Sequence, residues 1–321
     1  MHTRTIKTTC ISLVMICLSL VFLTSDAFSW GYATHTYIDD HIGKNCWVRN
    51  SDEIYGGIAP DMFNYMFDTP EYLGYLSYQT HNGFMQVWEK AKVNREKAFV
   101  YGFVSHNDVW GADSTAHHSG ITYGQTEGYV IAKAELLKPT ISEILTGLAP
   151  DYPSDLLDEI ALDVSHELTE YAIDVLIKRL DPMIGEKIAR SALHRSPQFP
   201  RLLVRAYAAE FSSYEGISFP EAARLIKTAE KEFRESMVLY GQALMLDKET
   251  AIQLISEQTA YIAVSFLGAY GITIPEGTDL VPLVTSAIGQ SLDICAEDFS
   301  YEIEATIDYV DQQMNVNGIT Y

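Results

Sequence analysis

Residues 154–180 read SDLLDEIALDVSHELTEYAIDVLIKRL. The stretch is a helix by several independent signs. Ser154 stands where an N-cap belongs, and acids fill the first turns. Lys178 and Arg179 close the last turn, and Asp181-Pro182 stops the helix. Within it, His166 and Glu170 are four residues apart, which puts an imidazole and a carboxylate on one face, one turn apart. Such a pair can chelate a metal ion, and Asp163 on the same face could orient the imidazole. A solvated i,i+4 pair has the same spacing, so the pair decides nothing alone.

Outward from this helix the chain keeps the same character. Residues 94–110 and 120–138 have helix-type apolar spacing. In ISFPE, residues 217–221, Ser218 can cap, Pro220 sits early in the helix and Glu221 completes a capping box. That helix should run to about residue 246, with two more near 248–270 and 280–314. GITIPEGTD, residues 271–279, is a loop punctuated by Gly and Pro. No period-2 strand run, repeat or low-complexity tract stands out. The expectation is an all-α bundle in one domain, residues 30–321, with Pro182, Pro197 and Pro200 marking a weak boundary near 182–200.

The first 29 residues have another logic. A basic start with Arg4 and Lys7 precedes the apolar core CISLVMICLSLVFLT, and Ala27 and Ser29 are small residues separated by one. This is the pattern of a secretory signal peptide, residues 1–29, cleaved after Ser29. The core is short for a membrane span of about 20 residues. Cleavage there makes Trp30 the first residue of a secreted or periplasmic protein, with its α-amino group free.

The whole chain carries a formal charge of −21. Losing Arg4, Lys7 and Asp26 makes the remainder more acidic by one charge. Such a surface repels nucleic acids and anionic bilayers at long range, without excluding a local cation site. Of the four Cys, Cys10 and Cys17 leave with the signal. Cys46 and Cys295 remain, as one disulfide or as two buried thiols.

The histidines gain meaning from their neighbours. GFVSHNDVWGADSTAHHSG, residues 102–120, holds His106, Asp108, Asp113, His117 and His118. His106 and Asp113 are seven apart and Asp113 and His117 four apart, so one helix would present imidazole, carboxylate and imidazole in a row. Gly102 and Gly111 would admit other backbone closely. Asp61 in IAPDMF and His81 in QTHNGF are further candidates, whereas His41 and His194 lack such company. HNDVW contains no adjacent His-Asp pair, which counts against an HD-type phosphohydrolase.

The ordered series Trp30, His35, Asp61, His81, His106, Asp113, His117, His166, Glu170 resembles the zinc-dependent phospholipase C family. The fungal single-strand-specific zinc nucleases share its fold and ligand set. Trp30-Gly31, followed by His35, is similar to the mature start of the nucleases, and His166-x-x-x-Glu170 to both groups. The likeness covers roughly residues 30–175; the later helices, about 198–314, match only in length and helicity. One departure stands in the centre. Both groups place the central His and Asp four apart, with a Pro before the next His; here Trp110 stands at that distance and no Pro precedes His117. Asp108 is therefore the alternative to Asp113 as bridging carboxylate, and His118 the alternative to His117.

The resemblance implies three Zn²⁺ ions. One would take Asp61, His81, His106 and Asp113. A second would take the Trp30 amine and carbonyl, His35 and the other oxygen of Asp113. A third would take His117, His166 and Glu170. A metal-bound hydroxide would attack a phosphodiester, with Asp113 and Asp61 as the catalytic carboxylates. The expected substrate is a phospholipid or another phosphodiester, with peripheral membrane contact. The alternatives are a single-strand-specific nuclease, disfavoured because two Cys cannot supply the disulfides of that group, and a non-catalytic exported zinc-binding protein.

Overall fold

The computed structural model describes residues 30–43, 47–66, 68–122 and 127–320. Every regular element among them is helical and none is a strand, so the all-α class read from the sequence is the one adopted. The α-helices are α1 (Tyr32–Ile42), α2 (Trp47–Ile58), α3 (Leu73–His81), α4 (Met85–Lys90), α5 (Asn94–His106), α6 (Ala112–His117) and α7 (Tyr129–Leu148). They continue with α8 (Ser154–Leu180), α9 (Ile184–His194), α10 (Phe199–Glu215), α11 (Phe219–Met245), α12 (Lys248–Ala269), α13 (Val281–Cys295) and α14 (Phe299–Val316). Two 3₁₀ turns, Ala59–Tyr65 and Pro70–Tyr72, join α2 to α3.

α8 has the bounds its sequence predicts. Pro153, not Ser154, stands at its cap, and Ser154 is already helical. Its consecutive residues Ala172–Ile177 are all buried, because α7, α13, α1 and α12 pack around it. A helix covered on several sides loses the single apolar stripe of a surface helix. α11 is capped as expected, with the Glu221 N–H donating to Ser218 Oγ at 3.3 Å, but the Glu221 carboxylate pairs with Arg224. α9 fills much of residues 182–200 and packs against α11 and α2.

Three helices end or begin where apolar spacing does not predict. α5 stops at His106 because Asn107 supplies a local alternative to the helix ladder. Its Oδ1 accepts from the N–H groups of Val109, Trp110 and Gly111 at 2.9, 2.9 and 3.2 Å, and its Nδ2 donates to the Val104 carbonyl at 2.6 Å. The helix expected over 120–138 begins only at Tyr129, since the Ile121 and Thr122 N–H groups bind the Glu302 carboxylate at 2.5 and 2.7 Å. The helix expected over 280–314 divides into α13 and α14. There the Lys133 ammonium donates to the Ile294 carbonyl at 3.1 Å and to Asp298 at 2.6 Å. The Ile294 carbonyl would otherwise take the i+4 N–H of Asp298.

Residues 1–29, read above as a signal peptide, and Cys46 lie outside the described residues. Cys295 is a buried free thiol whose pKa burial pushes up to about 12. No helix among the described residues is long and apolar enough to cross a membrane.

α2 and α5 pack backbone to backbone. A Cβ at Gly102 of α5 would overlap the Glu53 carbonyl of α2 and lie 2.8 Å from Gly57 N. Gly102→Ala should therefore lower stability by about 1–3 kcal/mol through overpacking. Gly147→Ala in α7, where a Cβ meets nothing within 4 Å, should be neutral or raise it by up to about 1 kcal/mol. Thermal unfolding of the two variants checks this; equal melting temperatures would contradict the close approach.

Candidate metal centre

The candidate ligands stand at element ends, where helices converge. His81 is the last residue of α3, His106 of α5 and His117 of α6. Asp61 lies in the first 3₁₀ turn and Asp113 in the first turn of α6. His35 is on α1; His166 and Glu170 face inward from α8.

Asp113 is fully buried and shared by its surroundings. Its Oδ1 lies 3.0 Å from His35 Nε2 and 3.3 Å from Trp30 N. Its Oδ2 lies 2.8 Å from His106 Nε2 and 3.6 Å from His81 Nε2. Asp61 Oδ1 adds contacts of 3.3 Å to His81 Nε2 and 3.7 Å to His106 Nε2. Ligands about 2.0–2.2 Å from a tetrahedral zinc stand roughly 3.3 Å from one another, which is the range seen here.

Backbone carbonyls fix the tautomers. A carbonyl only accepts, so His106 Nδ1–H donates to Gly57 O at 2.7 Å and His81 Nδ1–H to Ser77 O at 2.8 Å. Each neutral ring then presents an Nε2 lone pair, and the two Nε2 atoms are 3.1 Å apart. Two lone pairs at that distance repel unless a proton or a metal cation lies between them. Imidazoles that ligate metals are oriented by such Nδ1–H bonds.

The ionisation of the groups follows from the same crowding. Burial opposes charge on Asp113, but the charges and hydrogen bonds of His106 and His35 outweigh it and hold its carboxyl well below the usual range. Burial, with His106 nearby, lowers His35 to about 4. Burial also works against a proton on His81, yet Asp61 and Asp113 lift it to about 9. His166 is held well below the ordinary imidazole value by burial and by His117. Neutral imidazoles and ionised carboxylates are the forms that bind metals, so a metal on His81 would have to take the place of its proton.

Three groups of side chains could each hold a metal ion: His35, His106 and Asp113; Asp61, His81 and His106; and His117, His166 and Glu170. Within each group the ligand atoms lie within 4.8 Å of one another. His166 Nε2 is 3.3 Å from Glu170 Oε1, and the His117 and His166 ring centres are 5.3 Å apart. His106 enters two groups, its ring stacked 3.9 Å from that of His35.

A cleft of about 650 Å³, part of it open to solvent, runs alongside and is lined by Trp30, Asp61 and Glu170 together with Asn64, Glu167 and four tyrosines, Tyr32, Tyr65, Tyr171 and Tyr240. Burial and the charge of Asp61 raise Glu167 to about 8.

No protein-family model, curated protein or solved structure matches the chain. The centre is therefore read from its geometry.

That geometry differs from a single helical row of ligands. Asp113 and His117 do share α6, but they point into different groups. His106 and Asp113 meet across the Asn107–Gly111 turn rather than along one helix. Asp108 stands outside all three groups: its Oδ1 lies 3.2 Å from His117 Nδ1 and its Oδ2 2.9 Å from His118 Nε2. His118 is largely exposed and pairs with Asp108 rather than joining the His117 group. Sequence reading missed Glu167, the tyrosines and Asp174, although Asp174 continues the i+4 stripe of His166 and Glu170.

Asp108 orients His117, leaving Nε2 toward His166. Asp108→Asn should weaken metal binding at the His117 group by about 10–100-fold. Chelator competition on the purified protein checks this, and an unchanged affinity would contradict an orienting role.

Proposed function

We propose that the chain is an exported, zinc-dependent phosphodiesterase of the phospholipase C type, acting on a phospholipid at a lipid surface. The observation that carries this reading is the sharing of Asp113. One oxygen faces His35 and Trp30 N while the other faces His106 and His81, the arrangement of a carboxylate bridging two cations. The donor set supports zinc: imidazole nitrogens and carboxylate oxygens without thiolate, in buried groups that need a cation to offset them.

Bound there, zinc would lower the pKa of a water toward neutrality and offset negative charge on phosphoryl oxygens. Asp61 reaches both the ligand group and the cleft, so it can orient the attacking water and take its proton. Glu170 likewise belongs to the third group and lines the cleft, which puts that group within reach of the same phosphodiester. His106 and His81 are held by backbone carbonyls, so the ligand geometry is set before substrate arrives.

The choice of phospholipid over single-stranded nucleic acid rests on charge. The cleft lining includes Asp61, Glu167, Glu170 and Asp174 and neither Lys nor Arg. A row of phosphates would meet carboxylates along it, whereas a phospholipid brings a single phosphodiester to the metals. The tyrosines could stack bases, so the nuclease reading is the second outcome of the test. Signal cleavage after Ser29 would complete the centre by turning Trp30 N into a free amine.

Protein from the exported fraction should begin at Trp30, carry about three zinc ions per chain and hydrolyse phospholipid vesicles faster than single-stranded DNA. Removing zinc with a chelator should abolish activity, and Asp113→Ala should cost more than the ~10–100-fold expected from losing a ligand-orienting partner. Preference for single-stranded DNA would favour the nuclease. Three zinc ions with neither activity would favour a non-catalytic zinc-binding protein.

A further inference from the structure

α1 begins without a cap of its own. Gly31 occupies its N-cap position and has no side chain to offer, so the first N–H groups need acceptors from elsewhere. They find them on α8. Asp174 accepts from Ala33 N at 2.8 Å, Thr34 N at 2.9 Å and Thr34 Oγ1 at 2.9 Å. Tyr240 Oη of α11 donates to the same carboxylate at 2.6 Å. Asp174 is fully buried, so these four bonds replace its hydration.

The contact leaves no room for another residue at position 31. A Cβ there would lie 2.5 Å from Asp174 Oδ1 and 2.7 Å from Oδ2. Glycine at position 31 is thus a residue that the carboxylate itself demands. Trp30 is fixed from its other side by its indole N–H, which donates to the Ala112 carbonyl at 2.9 Å and Thr115 Oγ1 at 3.0 Å. Between these two clamps Trp30 N sits 3.3 Å from Asp113, and His35, whose N–H closes the first helical turn onto Gly31 O at 3.0 Å, sits 3.0 Å from Asp113.

We infer that Asp174 is the positioning residue that seats the N-terminal segment, Trp30 to His35, in the candidate metal centre. It belongs to none of the three ligand groups and acts through the backbone of α1. His166, Glu170 and Asp174 follow one another at i+4 on α8, so one helix face supplies two ligands of one group and the seat for the ligands of another. The inference rests on the metal reading above and adds which residue sets one metal's affinity independently of the rest.

The test uses the exported chain beginning at Trp30, stripped of metal and titrated with Co²⁺ against a competing chelator, with visible absorption reporting each equivalent. Asp174→Asn should fold, by circular dichroism, and lose about tenfold or more in affinity for one equivalent. The equivalent held by His117, His166 and Glu170 should keep its affinity, as Glu170→Gln assigns it. Tyr240→Phe removes one donor and should weaken the same equivalent by less; it also serves if Asp174→Asn does not fold. A general structural role would move all equivalents together, and that result, or no change in any, overturns the inference. A parent chain that takes up no Co²⁺ overturns the metal reading itself, and this inference with it.

Discussion

An ionised carboxylate with no exposed surface is the constraint around which the centre is arranged. Asp113 cannot keep its charge in a dry interior without hydrogen-bond donors or a cation beside it, because burying an isolated charge costs several kcal/mol after relaxation. The fold answers by bringing His35, His81 and His106 to it from three different helices. Those imidazoles in turn need orientation, and the carbonyls of Gly57 and Ser77 supply it. The close α2–α5 approach at Gly102 holds the Gly57 carbonyl where His106 can reach it. Backbone packing and ligand geometry are thus linked through one glycine contact.

α8 is the second organiser. Its outer turns are conventional, with acids first and bases last, but its middle is enclosed by four helices and carries a polar stripe inward. Enclosing His166, Glu170 and Asp174 is costly unless each meets a partner. Glu170 lies against His166, and Asp174 collects four donors. A surface helix with the same i+4 spacing would carry a solvated pair of little consequence. Burial separates the two cases, and the spacing does not reveal it.

This marks where the sequence was legible. Long helices with ordinary ends, α8, α11 and α12, could be bounded because capping, end charges and Pro act locally. The ends of α5, α7 and α13 could not: distant side chains fix α7 and α13, and a side-chain turn that apolar spacing does not report ends α5. Asn107 turns the chain back on itself, Glu302 holds residues 121–122 out of α7, and Lys133 takes the Ile294 carbonyl from α13. The candidate ligands could be named from their residue types and order. The resemblance implied the groups of His117, His166 and Glu170 and of Asp61, His81 and His106, which the fold brings together; helix spacing alone did not, since it put His106 and Asp113 on one helical face whereas the two meet across a turn. Glu167 and the cleft tyrosines gave no signal, because a carboxylate or phenol on a helix reads the same whether it faces solvent or a cleft.

The central claim is that cations sit on both sides of the Asp113 carboxylate. Anomalous diffraction at the zinc absorption edge, from crystals of the zinc-supplied chain beginning at Trp30, tests it most directly. The account predicts one peak beside each Asp113 oxygen and a third between His166 and Glu170. Crystals of folded, zinc-supplied protein with no anomalous peak within bonding distance of Asp113 would contradict it.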